Sequence, residues 1–155
     1  MTKPENDWPS LSNSASSAGF SVVQMATSRS AEFVREWNRP GRHGEVHGDT
    51  RVHLRQPIDT FIAFRGCRAD AKGQCNVTTT FEITGPDGKS QSSPPMEVWA
   101  NRPQPTPGMI FLSRASLGLA FAPDEPTGAY RIRAAVTDHI AGVTLHTQQT
   151  ITLLK

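Results

Sequence analysis

Histidine and acidic side chains are concentrated in one polar stretch of the chain, where they could form a metal site. Imidazole and carboxylate groups are the ligands that zinc, copper and nickel accept, and the stretch supplies His43, Glu45, His47, Asp49 and His53. Glycines are interspersed with these residues, so no helix would hold two histidine rings on one face, and no H-E-x-x-H motif is present. We therefore expect solvated histidines in a connecting segment, and neither a metal nor another cofactor.

A second possible constellation is a hydrolytic triad. Asp138 and His139 are adjacent, and Ser113 or Ser116 could supply the nucleophile. However, the sequence contains no Gly-x-Ser-x-Gly elbow, and nothing in it places a base beside a serine. An aspartate at the end of a strand more often caps the turn that follows it. The sequence thus predicts that the protein is not an enzyme.

The two cysteines, Cys67 and Cys75, flank a short polar segment between two predicted strands. If those strands are antiparallel neighbours, the segment brings the two Cα atoms within the roughly 4.4 to 6.8 Å that a disulfide requires. The spacing matches neither a C-x-x-C redox motif nor, without nearby histidines, a zinc site. A disulfide is therefore favoured over two free thiols, and with it an oxidising compartment. The loop is either structural or a recognition tip, and in the second case Arg68, Asp70 and Lys72 are candidate binding residues.

The elements that must position these residues are strands. Apolar and polar residues alternate through 126–153, which predicts two long antiparallel strands joined by a short turn at 138–142. Residues 30–37 predict a short helix capped by Ser30. Together with the two long strands, shorter segments separated by turn signals bring the total to about eight or nine strands, which favours an all-β sandwich. The shorter strands are predicted at 20–25, 50–55, 58–64, 76–84, 96–99, 109–112 and 117–121.

Two polar residues, Thr147 and Gln149, interrupt the apolar face of the last strand. Either that half of the strand faces less of the core, or a bulge between Leu145 and Ile151 shifts the register. Both residues are candidates for a recognition edge, and an exposed edge strand could also pair two copies of the chain into a homodimer.

The chain of 155 residues fits one domain at 20–155, preceded by a Ser-rich segment at 1–19 that we expect to be a disordered tail or linker. Within that tail, Trp8 could dock on the domain or on a partner. The net charge of +2 does not indicate nucleic-acid binding, and no apolar run approaches the ~20 residues of a membrane span. The chain does not begin with an export signal, so it is cytosolic or a mature exported chain, and the cysteine pair favours a periplasmic or secreted location.

The residues Pro126-Thr127-Gly128-Ala129-Tyr130 resemble the Pro-x-Gly-x-Tyr entry to a late strand in immunoglobulin-like sandwiches, including macroglobulin-like and fibronectin-type modules. The resemblance implies an immunoglobulin-like antiparallel sandwich in which the tyrosine hydroxyl bonds back to the preceding corner. Further motifs, spanning about residues 20–153, are similar to a family of small, exported, uncharacterised bacterial proteins, which implies export but no particular activity. They are EW at 36–37, FRGC at 64–67, DAKGQCNVT at 70–78, GPDG at 85–88, SLGL at 116–119 and VTDHIAG at 136–142.

These observations favour a non-enzymatic module that binds another protein, as an accessory of an envelope assembly. β-Sandwiches use free edges, tails and Pro-rich loops for recognition, and this chain has each of them. The alternative is a ligand- or glycan-binding module in which Trp99 with Arg102, near the proline run, or Trp37 serves as a stacking platform.

Overall fold

The computed structural model describes residues 13–38, 50–106 and 108–155, and in these it contains one short helix and eleven strands arranged in two sheets. The predicted fold class, an all-β sandwich with one helix near the N-terminus, is confirmed. The elements are β1 Ser14–Ser17, β2 Phe20–Thr27, α1 Ser30–Trp37, β3 Arg51–His53, β4 Ile58–Arg65, β5 Gln74–Thr84, β6 Ser90–Ser92, β7 Met96–Pro103, β8 Phe111–Leu112, β9 Leu117–Leu119, β10 Gly128–Asp138 and β11 Val143–Leu154.

The first sheet has the strand order β1-β2-β4-β8, with β9 also paired to β4, and the second has the order β3-β11-β10-β5-β6, with β7 also paired to β5. Strands pair antiparallel except β3, which lies parallel to the end of β11. The strand β4 is paired on both sides, which agrees with its continuously apolar sequence, since such strands are typical of central positions in a sheet.

The two long strands β10 and β11 form the centre of the second sheet, as their alternation predicts. Their pairing runs without a break from Gly128 opposite Leu153 to Asp138 opposite Val143. The inward side chains of β10 are all buried, because its period-2 pattern places every second residue on the core face. Those residues are Tyr130, Ile132, Ala134, Val136 and Asp138.

Two local predictions are wrong. Regular structure begins before residue 20, because β1 lies within the expected tail, where its backbone pairs with β2 and Ala15 is buried. As a result β2 is paired on both sides, with β1 and β4. Ser30 does not cap the helix: it is the first helical residue, and its hydroxyl donates a hydrogen bond to Asp59 instead. Trp8 and the segment 39–49, which includes His43, Glu45, His47 and Asp49, lie outside the described residues.

Thr147 lies buried between the sheets, where its hydroxyl is hydrogen-bonded. Neither a bulge nor a less buried half of the strand therefore explains the polar residue in β11. The unbroken pairing excludes a bulge, and Thr147 is 0 % exposed. Its hydroxyl donates to Gln24 Oε1 at 2.8 Å, and Gln24 Nε2 donates to the carbonyl oxygen of Ile132 at 3.1 Å. Gln24 on β2 therefore joins the first sheet to both central strands of the second, and it satisfies a hydroxyl that would otherwise be unpaired in the core. Gln149 is half-buried on the same face.

We expect substitutions at Gln24 and Thr147 to have non-additive effects on the free energy of unfolding. Thr147→Val leaves the Gln24 amide oxygen buried without its donor, which should cost about 1 to 3 kcal/mol, whereas adding Gln24→Met to Thr147→Val should recover part of that loss. Urea unfolding of the wild type, both single variants and the double variant measures the coupling. Strictly additive losses would show that the hydrogen bond contributes no stability of its own.

Gly66 is required by close packing as well as by its backbone conformation. It has φ +80°, and a Cβ built there would lie 1.9 Å from the carbonyl oxygen of Gly19 in the β1–β2 turn. Gly73 has nearly the same φ, +79°, but no atom within 4 Å of a built Cβ. The two positions therefore separate the cost of backbone strain from the cost of a clash.

Gly73→Ala should lower the free energy of unfolding by about 1 to 2 kcal/mol, the cost of a left-handed alanine. Gly66→Ala should cost about 2 to 3 kcal/mol more, because the turn at Gly19 must move away. Thermal or urea unfolding of the two variants tests this difference. Equal losses would mean that the Gly19 turn yields without cost.

Candidate binding groove

The predicted disulfide joins Cys67 to Cys75, with the two Cα atoms 6.0 Å apart and both residues buried. The flanking strands β4 and β5 belong to different sheets, so they are not the antiparallel neighbours expected from the sequence, and the disulfide lies where the chain crosses from one sheet to the other. Within the loop, Asp70 Oδ1 accepts hydrogen bonds from the backbone N–H groups of Lys72 and Gln74 at 2.8 and 3.0 Å. Asp70 therefore shapes the loop, while Lys72 and Arg68 are exposed. Among the three candidate binding residues of the loop, the side chain of Asp70 thus has a structural role.

Asp138 is a buried structural carboxylate at the end of β10. Its Oδ1 accepts from the N–H groups of Ile140 and Ala141 at 3.1 and 3.2 Å, and its Oδ2 accepts from the N–H of Arg68 at 2.9 Å. It thus caps the β10–β11 turn, as expected, and also ties that turn to the disulfide loop. Three backbone donors compensate for the burial of the charge.

Three of the four side chains considered for a triad, those of Asp138, His139 and Ser113, make other contacts. His139 Nε2 lies 2.7 Å from Thr78 Oγ1. Ser113 Oγ accepts from the N–H of Ile62 and donates to the carbonyl oxygen of Ala115. Within residues 13–38, 50–106 and 108–155, no group of three or more His, Cys, Asp or Glu side chains could hold a metal ion. For the segment 39–49, the expectation of solvated histidines stays a prediction.

Trp99 and Arg102 lie together, as the glycan hypothesis requires, but they contact each other and their neighbours. The Arg102 guanidinium carbon is 5.8 Å from the centre of the Trp99 ring, and Arg102 Nε donates to Glu97 Oε2 at 2.5 Å. The Trp99 indole N–H donates to the carbonyl oxygen of Pro103 at 2.8 Å. The hydrogen bond from Arg102 is the main cause that lowers the pKa of Glu97. The side chain of Trp99 is therefore half-buried and held in one position by its neighbours.

The ring of Trp99 packs against further aromatic side chains. Phe111 meets it edge-on at 5.2 Å between ring centres, and Phe64 lies at 5.8 Å. On the helix side, Phe33 stacks on Phe61 at 5.2 Å and on Trp37 at 6.5 Å. The helix α1 is thus attached to the first sheet by aromatic packing, which follows from the spacing of its apolar residues.

Between the helix and the segment 109–114 lies an open groove of about 650 Å³. Its walls are aromatic, formed by Trp37, Phe61, Trp99 and Phe111. At its rim, Met109 and Ile110 are 51 % and 49 % exposed, and they are the large apolar residues of the described chain that are most open to solvent. We call this feature the aromatic groove; Asn38, Ser113 and Arg114 add its polar lining.

The segment 113–115, which contributes Ser113 and Arg114 to the lining of the aromatic groove, is hydrogen-bonded to both sheets. The N–H of Ser113 donates to the carbonyl oxygen of Ile62 on β4 at 2.7 Å, and the N–H of Arg114 donates to that of Val98 on β7 at 2.9 Å. The N–H of Ala115 donates to the carbonyl oxygen of Glu97 at 3.3 Å. This segment therefore crosses from one sheet to the other and closes that side of the sandwich.

The sequence identifies Trp37 and Trp99 as candidates but does not show that they line one groove. It predicts a strand at 109–112, whereas only Phe111 and Leu112 pair with β4, which leaves Met109 and Ile110 exposed. The proline run before them was the available signal, because prolines prevent regular pairing. Thr147, in contrast, is fully buried, so its selection as a binding residue was wrong.

A second cavity, of about 580 Å³, lies beside the predicted tyrosine corner. The Tyr130 hydroxyl donates to the carbonyl oxygen of Pro126 at 2.6 Å, as the resemblance to immunoglobulin-like sandwiches implies, and its ring lies 4.9 Å from that of Phe121. Burial raises the pKa of Tyr130 above its usual value, and the nearby charges of Glu125 and Asp87 add to this effect.

No protein-family model matches the chain, and no curated protein matches it. In the described part of the chain, no helix has the length and apolar character needed to cross a membrane.

The raised pKa of Tyr130 should be visible directly, because this is the chain's single tyrosine. A folded pKa above the unfolded value of 10.0 means that the tyrosine contributes stability below that pH, and that this contribution is lost as the pH rises through the folded value. Tyrosinate absorbance should therefore give a midpoint above 10.0 in the folded protein and a normal midpoint in urea.

Tyr130→Phe is the matched control for this titration. It removes the tyrosinate signal and the hydrogen bond to Pro126, which should cost about 1 kcal/mol at neutral pH. The variant should also lose less stability than the wild type when the pH is raised. A folded midpoint at or below the unfolded one would contradict the burial argument.

Proposed function

We propose that this protein is a non-enzymatic β-sandwich module that acts in the periplasm or outside the cell and binds another protein through the aromatic groove. The observation that carries the proposal is the exposure of Met109 and Ile110 at the rim of an aromatic-walled cavity. Exposed apolar surface next to a concave aromatic surface is typical of interaction sites, since burying it on binding is favourable.

The scaffold suits such a role because the aromatic groove is preformed. The segment 113–115 is fixed to β4 and β7, and the helix is fixed by Phe33 on Phe61. A partner would therefore lose little free energy in ordering this surface. The disulfide is compatible with an oxidising compartment, where an accessory of an envelope assembly would act.

The alternative, a glycan-binding module, is supported by the presence of both Trp37 and Trp99 in the aromatic groove. It has less support than protein binding because sugars stack on open aromatic faces. Arg102 lies over the ring of Trp99, and Phe111 and Phe64 pack against it. A flexible apolar side chain would instead fit among Met109, Ile110 and the aromatic walls.

The double substitution Met109→Ser/Ile110→Ser tests the proposal, because both side chains are exposed and the fold should tolerate their loss. The matched control is Arg51→Ser/Lys155→Ser, two exposed residues that do not line the aromatic groove. Each protein is used as bait in an envelope extract of the source organism after its melting temperature has been measured. We expect the wild type and the control to retain the same protein, and the groove variant to lose at least about 90 % of it, a change of ~1.4 kcal/mol or more.

Retention of the same protein by the groove variant would reject the aromatic groove as the binding site. Failure of the wild type to retain any specific protein would reject protein binding. Retention of the wild type by an immobilised glycan array, lost in the groove variant, would favour the alternative function.

A further inference from the structure

The aromatic groove carries one sign of charge. Among the described residues that line it, Arg114 is the single charged side chain, and it is exposed. Its backbone N–H is fixed to Val98, so the side chain starts from a rigid position at the end of the wall that carries Met109 and Ile110. A ligand that enters the groove therefore meets an apolar surface and a guanidinium together.

No acidic side chain of the described residues forms an ion pair with Arg114. The charge of Arg114 does act on Glu97, but Glu97 Oε2 accepts a hydrogen bond from Arg102 Nε at 2.5 Å. The hydrogen bond from Arg102 is the main cause of the lowered pKa of Glu97, and the charge of Arg114 is the smallest of the five effects on it. Glu97 is thus committed to Arg102, and the guanidinium of Arg114 remains available to an external anion.

We propose that the aromatic groove recognises an acidic peptide segment of its partner, in which a large apolar side chain enters the groove and a neighbouring carboxylate pairs with Arg114. This inference rests on the proposed function and adds the chemistry of the partner. A carboxylate can form two parallel hydrogen bonds with a guanidinium. The apolar walls limit competition from water at that contact, and a lysine or arginine at the same place would be repelled.

The complementarity is one of both shape and charge. The apolar walls provide binding energy for any large side chain, whereas Arg114 selects among such side chains by the charge next to them. Because Arg114 is exposed, the selection should be modest, about three- to fivefold between an anionic and a neutral ligand of the same shape.

Three small probes with the same indole ring isolate these two contributions. N-acetyltryptophan carries a negative charge, N-acetyltryptophanamide is neutral and tryptamine is positive at neutral pH. Titration of the full-length, isotopically labelled protein with each probe, followed by amide and indole NMR shifts, gives the site and the relative affinities. We expect shifts at Trp99, Ile110 and Phe111. The anionic probe should bind most tightly, the neutral probe less tightly and the cationic probe most weakly.

Arg114→Gln should bring the three affinities to within about twofold of one another while leaving binding of the neutral probe unchanged. The matched control is Arg51→Gln, which removes an exposed arginine side chain outside the groove. This control should keep the wild-type order.

The outcomes separate the two proposals. Equal binding of the three probes at the groove would overturn the role of Arg114 and leave protein binding intact. Absence of shifts at the groove with all three would count against both. Shifts that appear only after removal of residues 1–12 would assign the groove to the chain's own N-terminal segment, and shifts that depend on protein concentration alone would assign it to a second copy; either would overturn the acidic partner.

Discussion

The aromatic groove depends on one short segment that is bonded to both sheets. Ser113 pairs with Ile62 on β4 through its amide and its hydroxyl, and Arg114 pairs with Val98 on β7. A strand segment at the edge of a sandwich normally pairs within one sheet and leaves its other side open. Here the segment closes that edge, fixes the spacing of the sheets and holds Met109 and Ile110 out toward solvent.

A related constraint explains the structural roles of Asp138, Thr147 and Gln24. A buried polar donor or acceptor that is left unpaired costs about 1 to 3 kcal/mol, so pairing these three side chains stabilises the sandwich. Asp138 satisfies three backbone amides at one end, and Thr147 and Gln24 satisfy each other in the middle. These contacts join loops and sheets that are distant in sequence, so they specify which sheets and turns meet as well as stabilising the domain.

Much of the fold was predictable because strand periodicity is a local property. The alternation in β10 and β11 located both strands, and the spacing of Phe33, Val34 and Trp37 located the helix. The predictions were wrong where local polarity and final position disagree. The Ser-rich β1 has no apolar pattern, and its position is fixed by hairpin pairing with β2 and by the burial of Ala15 in the core. For Thr147 the pattern indicated a polar intrusion but could not indicate that Gln24, more than a hundred residues away, would face it.

The sequence by itself determined the fold class, the disulfide and the tyrosine corner, because strand alternation is local and both contacts join residues that are close together along the chain. Tertiary structure decided the candidate site. Trp37 and Trp99 lie on different elements, and they line one cavity only because α1 packs on Phe61 while the segment 113–115 crosses between the sheets. Likewise, the sequence contains several arginines, and the tertiary structure places Arg114 at the aromatic groove while it pairs Arg102 with Glu97.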